Sequence, residues 1–313
     1  MASYILKRIL ATIPVMVIVA LFVFSLLYFA PGDPALIIAG DRATPEEVAR
    51  VREALGLDRT YLVRFTEWFL DILRGDLGHS VFSNIPVSEL ILQRVGPTVS
   101  LMAITVLLSS IVGVPLGVIA AWKADSWIDR AVVSIAVFGF SIPVFVIGYA
   151  LAWVFARDLQ WLPVQGYRPL SEGLWTWLRH LILPAIAVST VYIALIARIT
   201  RSTMLDVLSQ DYIRTARAKG VSQRNVLFVH ALKNSAIPIV TVIGLGVALM
   251  IGGAVVIESV FAIPGLGRLT LDAILQRDYP VIQGIVLVFS LVYVLVNLAI
   301  DLLYTVFDPR IEY

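Results

Sequence analysis

The side chains able to do chemistry in this chain are gathered in one polar stretch. The run Ser209-Gln210-Asp211-Tyr212-Ile213-Arg214-Thr215-Ala216-Arg217-Ala218-Lys219-Gly220-Val221-Ser222 sets one acid and three cations among helix formers. Gly220 suits the left-handed residue that closes a helix, and Ser222 can cap the next. The chemistry on offer is ionic docking to another surface. Bond-making chemistry has no support elsewhere: there is no G-x-x-x-x-G-K-[ST] phosphate loop and no His/Glu metal pair. No nucleophile has a plausible base and orienting acid. His79, His180 and His230 are scattered without zinc spacing, and there are no cysteines for disulfides or thiolate metal sites. Asp301, with Asn297 one turn earlier on the same face, is a carboxylate at the end of the last apolar run. It suits a proton relay, or an end-of-helix carboxylate hydrogen-bonded in a bundle or paired with Arg310. The chain is expected not to be an enzyme and to bind no metal or cofactor of its own.

The elements that must hold this stretch follow from hydropathy. With 59% hydrophobic residues, 15% charged residues and a mean hydropathy of +0.90, the 313-residue chain would expose far too much apolar surface as a soluble globule. A net charge of +2 gives no reason to expect nucleic acid. Six uncharged runs, 9–32, 99–121, 131–156, 181–197, 235–257 and 281–300, approach the length needed to cross about 30 Å of hydrocarbon. The expected fold is therefore an all-α integral membrane protein with six transmembrane helices. The fourth run is short and needs its flanks or neighbouring helices. Pro14, Pro115, Pro143, Pro184 and Pro238 fall in or beside the runs and predict kinks. The first run is too long for a secretory core and lacks a small-x-small cleavage site, so it reads as an uncleaved anchor. With both termini in the cytosol, Lys7, Arg8, Lys123, Arg130, Arg310 and the basic hairpin 201–233 lie inside, as the bias of Lys and Arg toward cytoplasmic loops requires. That hairpin predicts a helix over 204–219, a turn at Gly220 and a second helix, sharing an apolar face of Tyr212, Ile213, Ala216, Val221 and Val226.

Segment 31–97 is the long outer insertion. Thr44-Pro45-Glu46-Glu47 is a capping box, Gly56 marks the end of that helix, and an amphipathic helix is predicted over 61–73, with Phe65, Trp68 and Phe69 to pack on the membrane surface or on the bundle. The insertion either shields the outer rim or receives a soluble receptor on Asp41, Glu46, Glu47, Glu53 and Asp58. A polar cargo needs a wet path, since burying an unpaired amide costs about 4 to 8 kcal/mol on an alkane scale. Candidate wall residues are Gly246, Met250, Gly252 and Gly253, beside Gly244, with Ser141 and Pro143 opposite. The same glycines serve equally as packing contacts. Glu258 and the turn 264–268 are placed near the outer mouth, or as an interfacial anchor and an ordinary re-entrant turn.

The polar run resembles the signature loop of ABC importer membrane subunits, in the Arg-Thr-Ala-Arg-Ala-Lys-Gly form of dipeptide and oligopeptide permeases. Where the wider family has Glu-Ala-Ala, this chain has Arg214, Thr215 and Ala216. The likeness continues through Pro31-Gly32-Asp33-Pro34, Gly75-Asp76-Leu77-Gly78, Pro264-Gly265-Leu266-Gly267-Arg268, Arg277-Asp278-Tyr279-Pro280 and Asp308-Pro309-Arg310-Ile311. The resemblance implies the type I ABC importer permease fold over a single domain, 1–313. It implies a periplasmic helical insertion at 31–97 and a cytosolic coupling hairpin at 201–233. It also implies that Asp211, Arg214, Thr215, Ala216, Arg217, Ala218, Lys219, Gly220 and Val221 dock into a separate ATPase. The implied partners are a second homologous permease subunit, two cytosolic ATPases carrying ATP and Mg, and a periplasmic or lipid-anchored binding protein in the bacterial inner membrane. The implied cargo is di- or oligopeptides, with glutathione, nickel, opines or antimicrobial peptides as alternatives on the same architecture.

Overall fold

A computed structural model describes residues 2–29, 34–39, 43–54 and 57–307. Its helices are α1 (Ala2–Phe29), α2 (Pro34–Ala39), α3 (Pro45–Ala54), α4 (Tyr61–Leu73), α5 (Val87–Trp122), α6 (Trp127–Ser141), α7 (Val144–Leu151), α8 (Leu174–Leu208), α9 (Asp211–Ala218), α10 (Gln223–Asn225), α11 (Leu232–Asn234), α12 (Ala236–Val260), α13 (Leu266–Gln276) and α14 (Tyr279–Phe307). π-helical segments continue α7 over Ala152–Asp158 and join α10 to α11 over Val226–Ala231. Among the described residues α1, α5, α8, α12 and α14 are long and apolar enough to cross a membrane, and the bent pair formed by α6 and the 144–158 segment supplies a sixth span. This is the all-α, six-span class that hydropathy predicts. Helices satisfy every interior backbone group within the segment, which hydrocarbon demands.

The chain falls into two compact units, 1–93 with 270–292, and 94–269 with 293–313. In the first, α4 packs its aromatic face on α1 and not on open membrane surface. The Phe24 ring lies 5.3 Å from Tyr61, 5.5 Å from Phe65 and 5.2 Å from Trp68, and the Tyr61 and Ser25 hydroxyls are 2.6 Å apart. Ala20, Val23 and Leu287 complete the cluster with Phe69 and Ile72. Leu62 and Leu73, on the other side of α4, are exposed. The capping box forms as predicted: Thr44 N–H donates to Glu47 Oε2 at 2.8 Å and Glu47 N–H to Thr44 Oγ1 at 3.3 Å. The Thr44 N–H holds the Glu47 carboxyl below its ordinary range. Glu46, Glu53 and Asp58 are exposed, whereas Asp41, Gly56 and the 31–33 part of the first motif lie outside the described residues.

Two of the short motifs meet in this unit. Gly75 and Gly78 adopt φ of +87° and +79°, and Asp76 accepts the Gly78 N–H at 2.8 Å. That turn delivers Ser80 to Asp278: the hydroxyl donates to Oδ2 at 2.5 Å, and Val81 N–H donates to Oδ1 at 3.2 Å. Both Ser80 and Asp278 are buried.

In the second unit α8 is the central mast, packed by α6, α7 and α12. The short fourth run is the middle of a 35-residue helix and the most buried of the spans, which explains how so brief an apolar stretch is accommodated. Its core joins Leu181, Leu183, Val188 and Tyr192 to Leu101, Met250, Ile257 and Phe261. Gly113 and Gly117 seat α5 against α8: a Cβ at Gly117 would stand 2.5 Å from Thr200 Cβ and 2.6 Å from the Ala197 carbonyl oxygen. Pro14, Pro115 and Pro184 lie within continuous helices, and Pro238 sits in the first turn of α12, where no intrahelical bond is lost. At Pro143 the third run is broken, with α6 and the following segment bent by 97°. The residue before a proline is pushed out of helical geometry, and Ile142 shows it at φ −89°, ψ 125°.

Candidate functional site

The helix predicted over 204–219 is two helices. α8 ends at Leu208, where Ser209 Oγ and Gln210 Nε2 donate to the Asp206 carbonyl at 2.8 and 3.3 Å, and Gln210 turns extended at ψ 148°. Polar side chains here compete with the helical ladder for its last carbonyl, a conflict that helix propensity alone does not register. α9 then runs to Ala218 and closes through paired bonds, Gly220 N–H to the Arg217 carbonyl at 3.0 Å and Val221 N–H to the Ala216 carbonyl at 3.1 Å. This is the Schellman arrangement, with Gly220 at φ +79° as its left-handed residue. Ser222 Oγ accepts the Asn225 N–H at 3.4 Å to start α10.

One side of the hairpin is fastened and the other is free. Ile213 and Val226 are fully buried, and Leu227 and Ala231 pack with Val118, Ala121 and Met204 of α5 and α8. Asp211, Arg214, Thr215, Arg217, Ala218, Lys219 and Gly220 are exposed, while Ala216 and Val221 are half-buried. Tyr212, assigned above to the apolar face, is instead 45% exposed. It is one residue from Ile213, hence about 100° around the helix. The Asp211–Arg214 pair spans 3.4 Å at the surface and adds little fixed structure. The result is a rigid ridge whose outer face carries Tyr212, Arg214, Arg217 and Lys219.

The foot of this ridge is tied by a residue that the motif gave no reason to single out. Arg201, two turns before the end of α8, holds Asp129 of α6 with two bonds, Nε to Oδ1 at 2.5 Å and Nη2 to Oδ2 at 2.6 Å. Asp129 Oδ2 also accepts the Asp125 N–H at 3.0 Å, and Asp129's own N–H donates to Ser126 Oγ at 3.4 Å. The sequence signal was present only as Ser126-x-x-Asp129, a capping box in form.

The proposed wall residues are dispersed. Ser141 and Pro143 are exposed at the bend, where Ser141 Oγ donates to the Val137 carbonyl at 2.8 Å. Gly246 is buried 3.2 Å from Tyr192 Cδ1, measured from a built Cβ, and Met250 is buried in the core around Tyr192. Gly252 is exposed with open space around it, Gly253 is half-buried, and Gly244 is filled by Ile300. Asp301 is half-buried on α14, Asn297 bonds back to the Tyr293 carbonyl at 3.1 Å, and Arg310 with the 308–311 motif lies outside the described residues.

Glu258 is fully buried at the end of α12. Its Oε1 accepts the Thr98 hydroxyl at 2.6 Å and its Oε2 the Arg268 N–H at 2.9 Å, while Thr98 Oγ1 accepts the Leu266 N–H at 2.8 Å. A Cβ at Gly265 would overlap the Glu258 carboxylate, and one at Gly267 would stand 2.6 Å from Val255 Cα. The two glycines let the start of α13 close onto that carboxylate.

Five long apolar helices, a bent pair that makes a sixth span, and a folded basic hairpin define a multi-pass membrane protein. Residues 113–313 match the family described as binding-protein-dependent transport system inner membrane component, and residues 1–102 match its N-terminal companion. The chain belongs to that family. It is 53% identical over the full length of both chains to a probable peptide ABC transporter permease protein of Sinorhizobium fredii. A dipeptide transport system permease protein of Alkalihalophilus pseudofirmus is 40% identical over all of both chains. A glutathione transport system permease protein of Salmonella choleraesuis is 44% identical, again over all of both chains. Among solved structures, an inward-facing MetNI methionine ABC transporter chain superposes with a TM-score of 0.59 at 15% identity, covering 70% of this chain and 96% of that one. The shared fold is the type I importer permease fold.

Proposed function

We propose that this chain is a pore-forming subunit of an ATP-driven importer that carries di- or oligopeptides handed over by an extracytoplasmic binding protein. The observation that carries the reading is the hairpin: a ridge anchored by Ile213 and Val226 that turns Tyr212, Arg214, Arg217 and Lys219 outward from a multi-pass membrane protein. A pore subunit without a nucleotide site of its own needs such a handle. In this account ATP and Mg bind separate ATPases, whose closure drags the ridge and rocks the spans from inward-open to outward-open. Hydrolysis returns them. Both termini lie in the cytosol, a second homologous subunit completes the path, and segment 31–97 faces the binding protein. Full-length similarity to proteins named for peptide and dipeptide transport supports peptides as the cargo. Full-length similarity to a glutathione permease favours glutathione, itself a modified tripeptide, as a second reading.

The experiment is reconstitution with candidate ATPases, a second permease and a binding protein. Gly220 has no neighbour within 4 Å of a built Cβ, so a side chain fits and only the backbone conformation forbids it. Gly220→Val forces a β-branched residue into left-handed geometry, whereas Gly220→Asn tolerates it. Gly220→Val is expected to lose ATPase co-purification and peptide uptake while Gly220→Asn retains both. Survival of both activities in the valine variant refutes the docking assignment, and uptake of glutathione but not dipeptides decides for the second cargo.

A further inference from the structure

The contact between α6 and α8 is uneven. Between them lies an open groove of about 260 Å³ lined by Val132, Ala136, Phe140, Ala194 and Arg198, and it ends at Arg201. Toward the bend, Gly139 comes close to α8 at the Thr190 carbonyl, 3.3 Å from a built Cβ. The groove runs along one exposed flank, past Val133, Val137 and Phe140, while the rest of the α6–α8 face is packed. At the cytosolic end the connection is ionic and directional: two parallel bonds between a guanidinium and a carboxylate that is only 4% exposed. Asp129 is in turn locked to the loop before α6 through the Asp125 N–H and Ser126.

We infer that Asp129 and Arg201 are positioning residues for coupling: they clamp α6 to the foot of the helix that carries the docking ridge, so that movement of the ridge is delivered to the 97° bend at Pro143. This inference rests on the proposal that the ridge docks an ATPase. Arg201 lies two turns above the α8–α9 break, and Ile213 fastens α9 to the same body. A pull on α9 therefore reaches α8 directly, and the clamp fixes the register in which the packed α6–α8 face passes it on. Without it, the α6–α8 register would loosen at the foot of the ridge, and part of the ATP would be hydrolysed without bending the third span.

The chain has no cysteine, so Ser134→Cys on α6 and Arg224→Cys on α10, both exposed, place spin labels at those two positions alone in this subunit, which is labelled before assembly with the others. In the reconstituted complex the Ser134–Arg224 distance should be narrow and unchanged by a non-hydrolysable ATP analogue. Asp129→Asn, which keeps size and an acceptor for the Asp125 N–H, should broaden that distance distribution. Arg201→Lys should do the same, because lysine keeps the charge but not the fork. In the same vesicles, uptake of radiolabelled alanyl-alanine per ATP hydrolysed should fall roughly twofold to thirtyfold, the range over which single positions alter coupling between sites. ATPase co-purification should stay at the wild-type level, while melting temperature should fall, because each substitution breaks a largely buried ion pair. A distribution as narrow as wild type in both variants overturns the clamp, as does a loss confined to melting temperature and assembly. Failure of the underlying docking proposal reads differently: Arg217→Glu would then leave ATPase co-purification intact, whatever the label distances show.

Discussion

The Glu258 carboxylate and the Thr98 hydroxyl, both buried, meet at 2.6 Å, and the same hydroxyl receives the backbone N–H of Leu266. Thr98 lies on α5 and Glu258 on α12, so one buried hydrogen-bond relay gathers α5, α12 and the start of α13. Every donor in the relay has an acceptor. That is the condition under which a buried carboxylate is tolerated.

Removing the carboxylate should therefore cost more than removing an ordinary surface acid. Glu258→Ala leaves the Thr98 hydroxyl and the Arg268 N–H unpaired, and an unsatisfied buried donor costs about 1–3 kcal/mol. The detergent-solubilised variant should melt earlier than wild type, and Glu258→Gln, which retains one acceptor, should lie between them. Gly265→Ala should match the loss while leaving Glu258 in the sequence, because its methyl overlaps the carboxylate. Equal melting of Gly265→Ala and wild type would show that the turn has room the packing denies.

A second buried carboxylate gives an independent case. Asp278 accepts from both Ser80 Oγ and Val81 N–H, next to Arg277 at φ +59°. Ser80→Ala removes a hydrogen bond to a carboxylate and the acceptor of the Ser83 N–H, and should cost about 1.5–3 kcal/mol. Asp278→Ala strands the Ser80 hydroxyl and the Val81 N–H together and should cost more. Hydrogen exchange at the Val81 amide checks it: faster exchange is expected in Asp278→Ala than in Ser80→Ala.

What the sequence made legible here were the features with local causes. Apolar runs declare spans, Thr44-Pro45-Glu46-Glu47 declares its cap, and Gly220 declares a left-handed helix end, because each is set by neighbours within one helical turn. The hairpin's exposed and buried faces were mostly legible for the same reason, with Tyr212 misplaced by a single step of the helix. The break at Ser209 and Gln210 was missed because the surrounding propensities favour helix and only side-chain competition for the Asp206 carbonyl interrupts it. Long-range pairs were not legible. Asp129 and Arg201 are 72 positions apart, Thr98 and Glu258 160, and Ser80 and Asp278 198. Each was visible as a polar residue, yet no periodicity or spacing names its partner. The tetrapeptides Gly75–Gly78 and Arg277–Pro280 were noticed one by one, and only the fold shows that they serve the same carboxylate.

The glycine-rich part of α12 separates packing from passage. Met250 is 2% exposed in the Tyr192 core, so Met250→Trp overfills a closed site and should cost about 1–3 kcal/mol. Its effect on uptake would follow from lost protein. Gly252 is different: it is exposed, and a built Cβ meets nothing within 4 Å. Leucine at that position fits without strain and improves on glycine's helix propensity by roughly 0.5–1 kcal/mol. Gly252→Leu should express and melt at least as well as wild type, and if this face borders the path, uptake should drop while ATPase co-purification holds. Normal uptake at normal expression would take Gly252 out of the path and leave the exposed glycine as a lipid-facing or subunit-facing surface. Because stability and passage move in opposite directions at this one residue, the measurement cannot confuse a damaged fold with a blocked route.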